Sequence, residues 1–255
     1  FMTSRTTVHS FSEPLTLSSG RAEGSSGEPL MAAVCASSFR TAADRDVFRQ
    51  HALGNFRDLL MANAKSAEML RYLDNVSNEA GAPNENYARE LLELHTLGVD
   101  GGYNENDVKE LARCFTGWNI FSVTTDANFG DFRFKSWNHD GGSKVVLGQT
   151  IPGGGVEEAE GVIDYIATHP STARFLAEKM FRFFLRYEPT TQMIDEGAAA
   201  YLSNNGEIKD LLMAVLDEKW VGHVDPLQDP KLKRPMHLAL SLVRSLGDAA
   251  RLLDP

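Results

Sequence analysis

Behind Asn104 and Asp107, the apolar residues Val108, Leu111, Ala112, Phe115 and Trp118 fall at i, i+3, i+4, i+7 and i+10. That period puts all five on one stripe of a helix, and an asparagine followed three residues later by a carboxylate marks a helix start. A chain carrying this stripe must bury it against another apolar surface. The same period recurs on both sides. It appears from Asp44 through Val47 and Phe48, with Gly54 as a break, and again through Phe56, Leu59, Leu60 and Asn63. Ser66 is placed to cap a helix through Met69, Leu70 and Leu73, and a further helix is predicted over 84–97, closed by Gly98 in the left-handed position.

After Ile120 the period changes. Aromatics alternate in Phe132-Arg133-Phe134, Lys144 to Leu147 is a short β-branched run, and glycines cluster at 141–142 and 153–155, which predicts a small hairpin or irregular excursion over about 120–155. Helical spacing then resumes over 156–168, 171–187, 192–202, 208–216 and 236–253. On the second of these, Leu176, Met180, Phe183, Phe184 and Tyr187 are predicted to face one way, opposite a ladder of Arg174, Glu178, Arg182 and Arg186. The expected fold is mainly α: a multi-helix globular bundle over 46–255 with one β excursion, preceded by a loop-rich arm over 1–45 that is Ser-, Thr- and Gly-rich without apolar period.

Charge narrows the function classes. Thirty-five acidic against 25 basic residues leave a net charge of −10, which repels a phosphate backbone and argues against nucleic acid as partner. No window reaches the roughly 18 apolar residues of a membrane span, since even 175–187 carries Glu178, Lys179, Arg182 and Arg186. Cys35 and Cys114 lack metal-type spacing and would form at most one disulfide. The first residues have no signal-peptide pattern, yet the chain opens on Phe1, so the expectation is that the native start lies elsewhere.

The densest run of unusual chemistry is NENYARELLELHTLG, Asn84 to Gly98. On a regular helix Tyr87, Ala88, Leu91, Leu92, Leu94 and His95 share one arc, while Glu85, Asn86, Arg89, Glu90 and Glu93 share the other. Two readings of the polar arc stand side by side. It is a solvated ladder of Glu85, Arg89 and Glu93, or Glu90 and Glu93 act as metal ligands or as general acid and base, with Arg89 and His95 completing a catalytic set. His95, pointing away from Glu93, reads equally as a hydrogen-bonded core histidine.

A second candidate is the Trp137-Asn138-His139-Asp140-Gly141-Gly142 turn followed by Lys144. There His139 and Asp140 either ligate a metal together with Glu90 and Glu93 or form an Asx-type turn. A divalent ion is the cofactor such a set would take. The third, His169-Pro170-Ser171-Thr172, reads as punctuation, with Ser171 or Thr172 capping the next helix. No nucleophile elbow, phosphate loop, dinucleotide fingerprint or zinc helix is present in the sequence.

The run from Asn84 through Trp118, the flanking GNFRDLLMANAKSAEMLRYLDN, the later NHDGGSKVVLG and the HPSTARFLAEKMFRFFL stretch together resemble the bacterial domain of unknown function 1800 family over about 50–246. The resemblance implies a largely helical, exported protein, periplasmic or secreted, with another exported protein as its neighbour or partner; it supplies no reaction. Members usually carry a Trp-His-Asn-His-Phe-like segment upstream, whereas residues 30–48 read LMAAVCASSFRTAADRDVF. The chain is therefore expected to be a C-terminal portion or a member with a diverged N-terminal part. Two functions remain open: an exported enzyme with a metal-assisted hydrolytic or oxidative site, or a non-catalytic assembly or binding protein in which the motif is a structural keystone.

Overall fold

The computed structural model describes residues 42–222 except Thr124. The expected arm, the 236–253 helix and Cys35 lie wholly or almost wholly outside these residues. Within them the architecture is mainly α, as the periodicity predicts, and the β excursion consists of two small antiparallel hairpins.

The helices follow in chain order. α1 is a π-helical turn, Asp44–Phe48, running on through Arg49–His51; α2 is Phe56–Ala64 and α3 is Ala67–Tyr72. α4 begins as Asn86–Glu90 and continues in π geometry over Leu91–Thr96, and α5 is Glu105–Cys114. Two hairpins come next: β1 (Trp118–Ile120) pairs with β2 (Phe132–Phe134), and β3 (Lys144–Val146) with β4 (Gln149–Ile151). The rest is helical: α6 (Val156–Ala167), α7 (Pro170–Phe184), α8 (Thr191–Ser203), α9 (Ile208–Val215) and the short α10 (Glu218–Val221).

Local chemistry sets the boundaries. Asn55, Ser66 and Asn104 each accept a backbone N–H of the following turn, and Asp107 returns the bond to Asn104, completing the predicted capping box. The stripe of α5 is the centre of the core: Val108, Leu111, Ala112 and Phe115 are fully buried, and Trp118, already in β1, continues it. Phe115 meets Tyr87 and Trp118 edge-on at 4.7 and 5.1 Å, and each such burial contributes about 1.5–3 kcal/mol. The chain halves are joined where the Phe56 N–H donates to Gly206 O and the Ile208 N–H to Gly54 O, both at 2.9 Å.

Three expectations are corrected. α4 is not one regular helix: in its π segment the Leu97 N–H reaches back five residues to Leu92 O, so the arc rotates. Leu94, expected in the core, is 49% exposed, while Thr96 is buried with its hydroxyl donating to Leu91 O. On α7 the buried stripe is Thr172, Ala173, Ala177 and Phe181, whereas Phe183, Phe184 and Tyr187 stand exposed. Small residues let α7 approach α8 closely, with Ala177 and Phe181 about 3 Å from where a Cβ on Gly197 would stand. Finally, the cap of α7 is His169, whose Nδ1 accepts the Ser171 N–H, while the Thr172 hydroxyl is buried and donates to Ile166 O.

Candidate functional site

The chemistry gathers where β3–β4, the turn before it and α6 meet α5. Gly117 makes this meeting possible. It adopts φ +79°, and a Cβ there would lie 2.6 Å from Lys135 O and 3.3 Å from the His139 Cβ, so the chain after α5 passes directly under the turn. Thr116 anchors the turn. Its hydroxyl donates to Arg113 O at 2.6 Å and accepts the Asp140 N–H at 2.8 Å.

His139 points inward, its side chain only 3% exposed, edge-on to the Phe134 ring at 5.2 Å. Its Nδ1 lies 2.8 Å from the Thr116 carbonyl, an obligate acceptor, so Nδ1 carries a hydrogen. Nε2 lies 3.3 Å from Glu158 Oε1 and makes no hydrogen bond. Glu158, from the first turn of α6, is fully buried as well. Oε1 also accepts the Gly154 N–H, and Oε2 pairs with the ammonium of Lys144, which in turn donates to the Asp140 carbonyl. The result is a buried His139–Glu158–Lys144 cluster binding turn, hairpin and helix together, with nearly every polar atom engaged inside the protein.

Asp140 turns the other way. Arg113 grips it in a two-pronged pair at 2.7 and 3.2 Å and also takes Glu110 at 2.9 Å. The guanidinium, together with the Gly142 N–H, holds the Asp140 carboxyl down at about 2. Glu110 Oε2 accepts the Val145 N–H, and Asp107 Oδ1 accepts the N–H of Leu147, which sits at φ +50° in the two-residue turn of the hairpin. α5 thus supplies two anchors for the β3–β4 hairpin and, through Arg113, a third for the turn before it. Buried Cys114 lies on the same helix, its thiol pushed up to about 12 by burial.

The α4 motif occupies a different place. Arg89 binds Glu105 through both nitrogens, at 2.6 and 2.9 Å, and reaches Glu85 at 3.3 Å, clamping α4 to the start of α5 and holding the Glu105 carboxyl low. Glu90 is half-buried, and burial followed by the neighbouring Glu93 charge raises its carboxyl. His95 is held low, chiefly by burial and also by Lys179. Glu90 and Glu93 do not join His139 and Asp140. Among the described residues no three His, Cys, Asp or Glu side chains gather within reach of one metal ion.

Sequence spacing missed Glu158, Arg113, Thr116 and two buried asparagines. Asn75 donates to the carbonyls of Phe115 and Trp118, and Asn78 to Ala112 O and to Asn75 Oδ1, so the segment before α4 caps the C-terminal end of α5. The clustering of asparagines in NVSNEAGAPNEN was the available signal. Beside Glu158 opens a cleft of about 400 Å³, lined among others by Thr150, Ile151, Gly154, Glu157, Gly161 and Tyr165.

No described helix is long and apolar enough to cross a membrane. A family model described as "Protein of unknown function (DUF1800)" matches residues 31–254. No curated protein and no solved structure matches the chain.

Proposed function

Since the chain belongs to the DUF1800 family, whose description assigns no activity, we propose from its geometry that it is a non-catalytic binding or assembly protein of the extracytoplasmic space. In this reading its motifs are structural ties. The observation that carries it is where the motif charges go: Arg89 to Glu85 and Glu105, Asp140 to Arg113, and Lys144 to Glu158. Charged groups already matched inside the fold hold elements in register; they are poorly placed to bind a metal or activate water. The extracytoplasmic setting rests on the family resemblance, and another exported protein is the partner it suggests.

The test is elemental analysis of the purified chain beside Glu90→Gln/Glu93→Gln and His139→Ala. A structural role predicts less than a tenth of an equivalent of any transition metal in every sample. One metal per chain that folded variants release would sink it. A second reading, that Glu90 and Glu93 work as acid and base, has one observation in its favour: the Glu90 carboxyl is raised by burial and by Glu93. It predicts a chemical rate that disappears in Glu90→Gln without loss of folding.

A further inference from the structure

The α6 face bordering the cleft has a composition that packing does not explain. Glu157, Gly161 and Tyr165 lie at i, i+4 and i+8, one stripe of the helix, and all three line the cleft. Gly161 is exposed in the helix interior, and a Cβ there would meet nothing within 4 Å. It has a right-handed φ and no neighbour to avoid, yet a mid-helix glycine is about 0.5–1 kcal/mol less stable than alanine. What the glycine leaves is space between a carboxylate and an aromatic ring.

The same cleft is bordered by a strand edge. In the β3–β4 hairpin, Val146 and Gln149 flank the two-residue turn as the hydrogen-bonded pair, so the next pair, Val145 and Thr150, is the non-bonded one. The Thr150 N–H and C=O therefore point away from β3. Pro152 follows at once, which limits any added strand to a short stretch. Glu157 is exposed and accepts the Gly155 N–H through Oε1 at 3.0 Å, and the ion pairs of α6 at Glu160 and Asp164 are made with Lys65 and Arg57.

We propose that this cleft binds a short extended segment of a partner protein through a lysine or arginine. The segment pairs with the β4 edge at Thr150, its side-chain stem crosses Gly161 toward the Tyr165 ring, and its cation meets Glu157. This deepens the binding-protein reading and rests on it. Charge complementarity favours a basic segment, because the exposed charge of the cleft is the Glu157 carboxylate and the chain as a whole carries −10.

The probe is a fluorescein-labelled heptapeptide of alternating threonine and lysine, titrated into the full chain at physiological salt and followed by anisotropy. Saturable binding is expected, weakened about tenfold or more by Gly161→Leu and by Glu157→Gln. Leucine is the better helix former, so Gly161→Leu should melt no lower than the parent, separating a blocked cleft from a damaged fold. Glu188→Gln, an equal change in net charge outside the cleft, should leave affinity within about twofold, and a peptide with proline at each threonine should bind about tenfold less, having lost its donors. Absence of saturable binding up to about 1 mM overturns the proposal, as does equal loss in Glu188→Gln or equal binding by the proline peptide. A chain that holds no metal yet ignores the peptide refutes this site and leaves the non-catalytic role standing.

Discussion

Lys144→Met is the sharpest perturbation of the buried cluster. Methionine keeps the length and bulk of the stem and deletes only the charge, at a residue 1% exposed. What is left is the Glu158 carboxylate, with a side chain 1% exposed, deprived of its ammonium and holding only the Gly154 N–H and the His139 contact. Removing one partner of a buried pair costs about 3–5 kcal/mol, because the other charge remains uncompensated. At about 2–4 °C per kcal/mol for a chain of this size, the melting temperature should fall by roughly 6–20 °C. Deleting both charges relieves the stranded carboxylate. Lys144→Met/Glu158→Gln should therefore cost at least about 2 kcal/mol less than the sum of its single changes. Urea denaturation followed by circular dichroism measures both. A Lys144→Met variant within about 1 kcal/mol of the parent, with unchanged slope, would refute the argument that this lysine is charged and paired in the core.

Other consequences concern single groups. Asp140, held at about 2 against an ordinary 3.8, contributes about 2 kcal/mol that is fully present above pH 4 and lost as pH falls through about 2. Asp140→Asn should be less stable at pH 6 and show a correspondingly smaller loss on acidification to pH 2. His95, kept below its ordinary value by burial, leaves stability unchanged above about pH 6.5 and disfavours the folded state as pH falls below it; His95→Gln should flatten that part of the stability profile between pH 7 and 5. Cys114, pushed up to about 12 and fully buried, should react with a thiol reagent only as fast as the chain unfolds. Gly117→Ala, with φ +79° and a backbone oxygen 2.6 Å from the new Cβ, should cost about 1–3 kcal/mol and release the His139 turn, seen as faster exchange of the Asp140 amide.

What the sequence made legible was local. The Asn104–Asp107 box, the Ser66 cap and the stop at Gly98 each depend on residues within one or two turns, and each stands where its spacing puts it. The mainly helical fold and the small β excursion followed from period alone. Leu94 was misplaced because the spacing argument assumes 100° per residue, and nothing in LLELHT announces a π turn. The buried stripe of α7 was misjudged because hydrophobicity favoured Phe183 and Phe184, while the close approach to α8 selected Ala173 and Ala177. The site was the least legible part. Glu158 stands in Val-Glu-Glu-Ala-Glu, a pattern of a solvated helix face, and its burial depends on Lys144 fourteen residues earlier. Asp140 was visible as a candidate ligand, but its Arg113 partner lies 27 residues away on another element.

The account stands on the claim that motif charges act as ties, and the Arg113–Asp140 pair tests it most directly. Stabilities of Arg113→Ala, Asp140→Ala and the double variant give the coupling between the two side chains, free of their other contacts. With side chains 26% and 23% exposed and two hydrogen bonds between them, the predicted coupling is about 2 kcal/mol at pH 7. Additive losses, with coupling below about 0.5 kcal/mol, would contradict it.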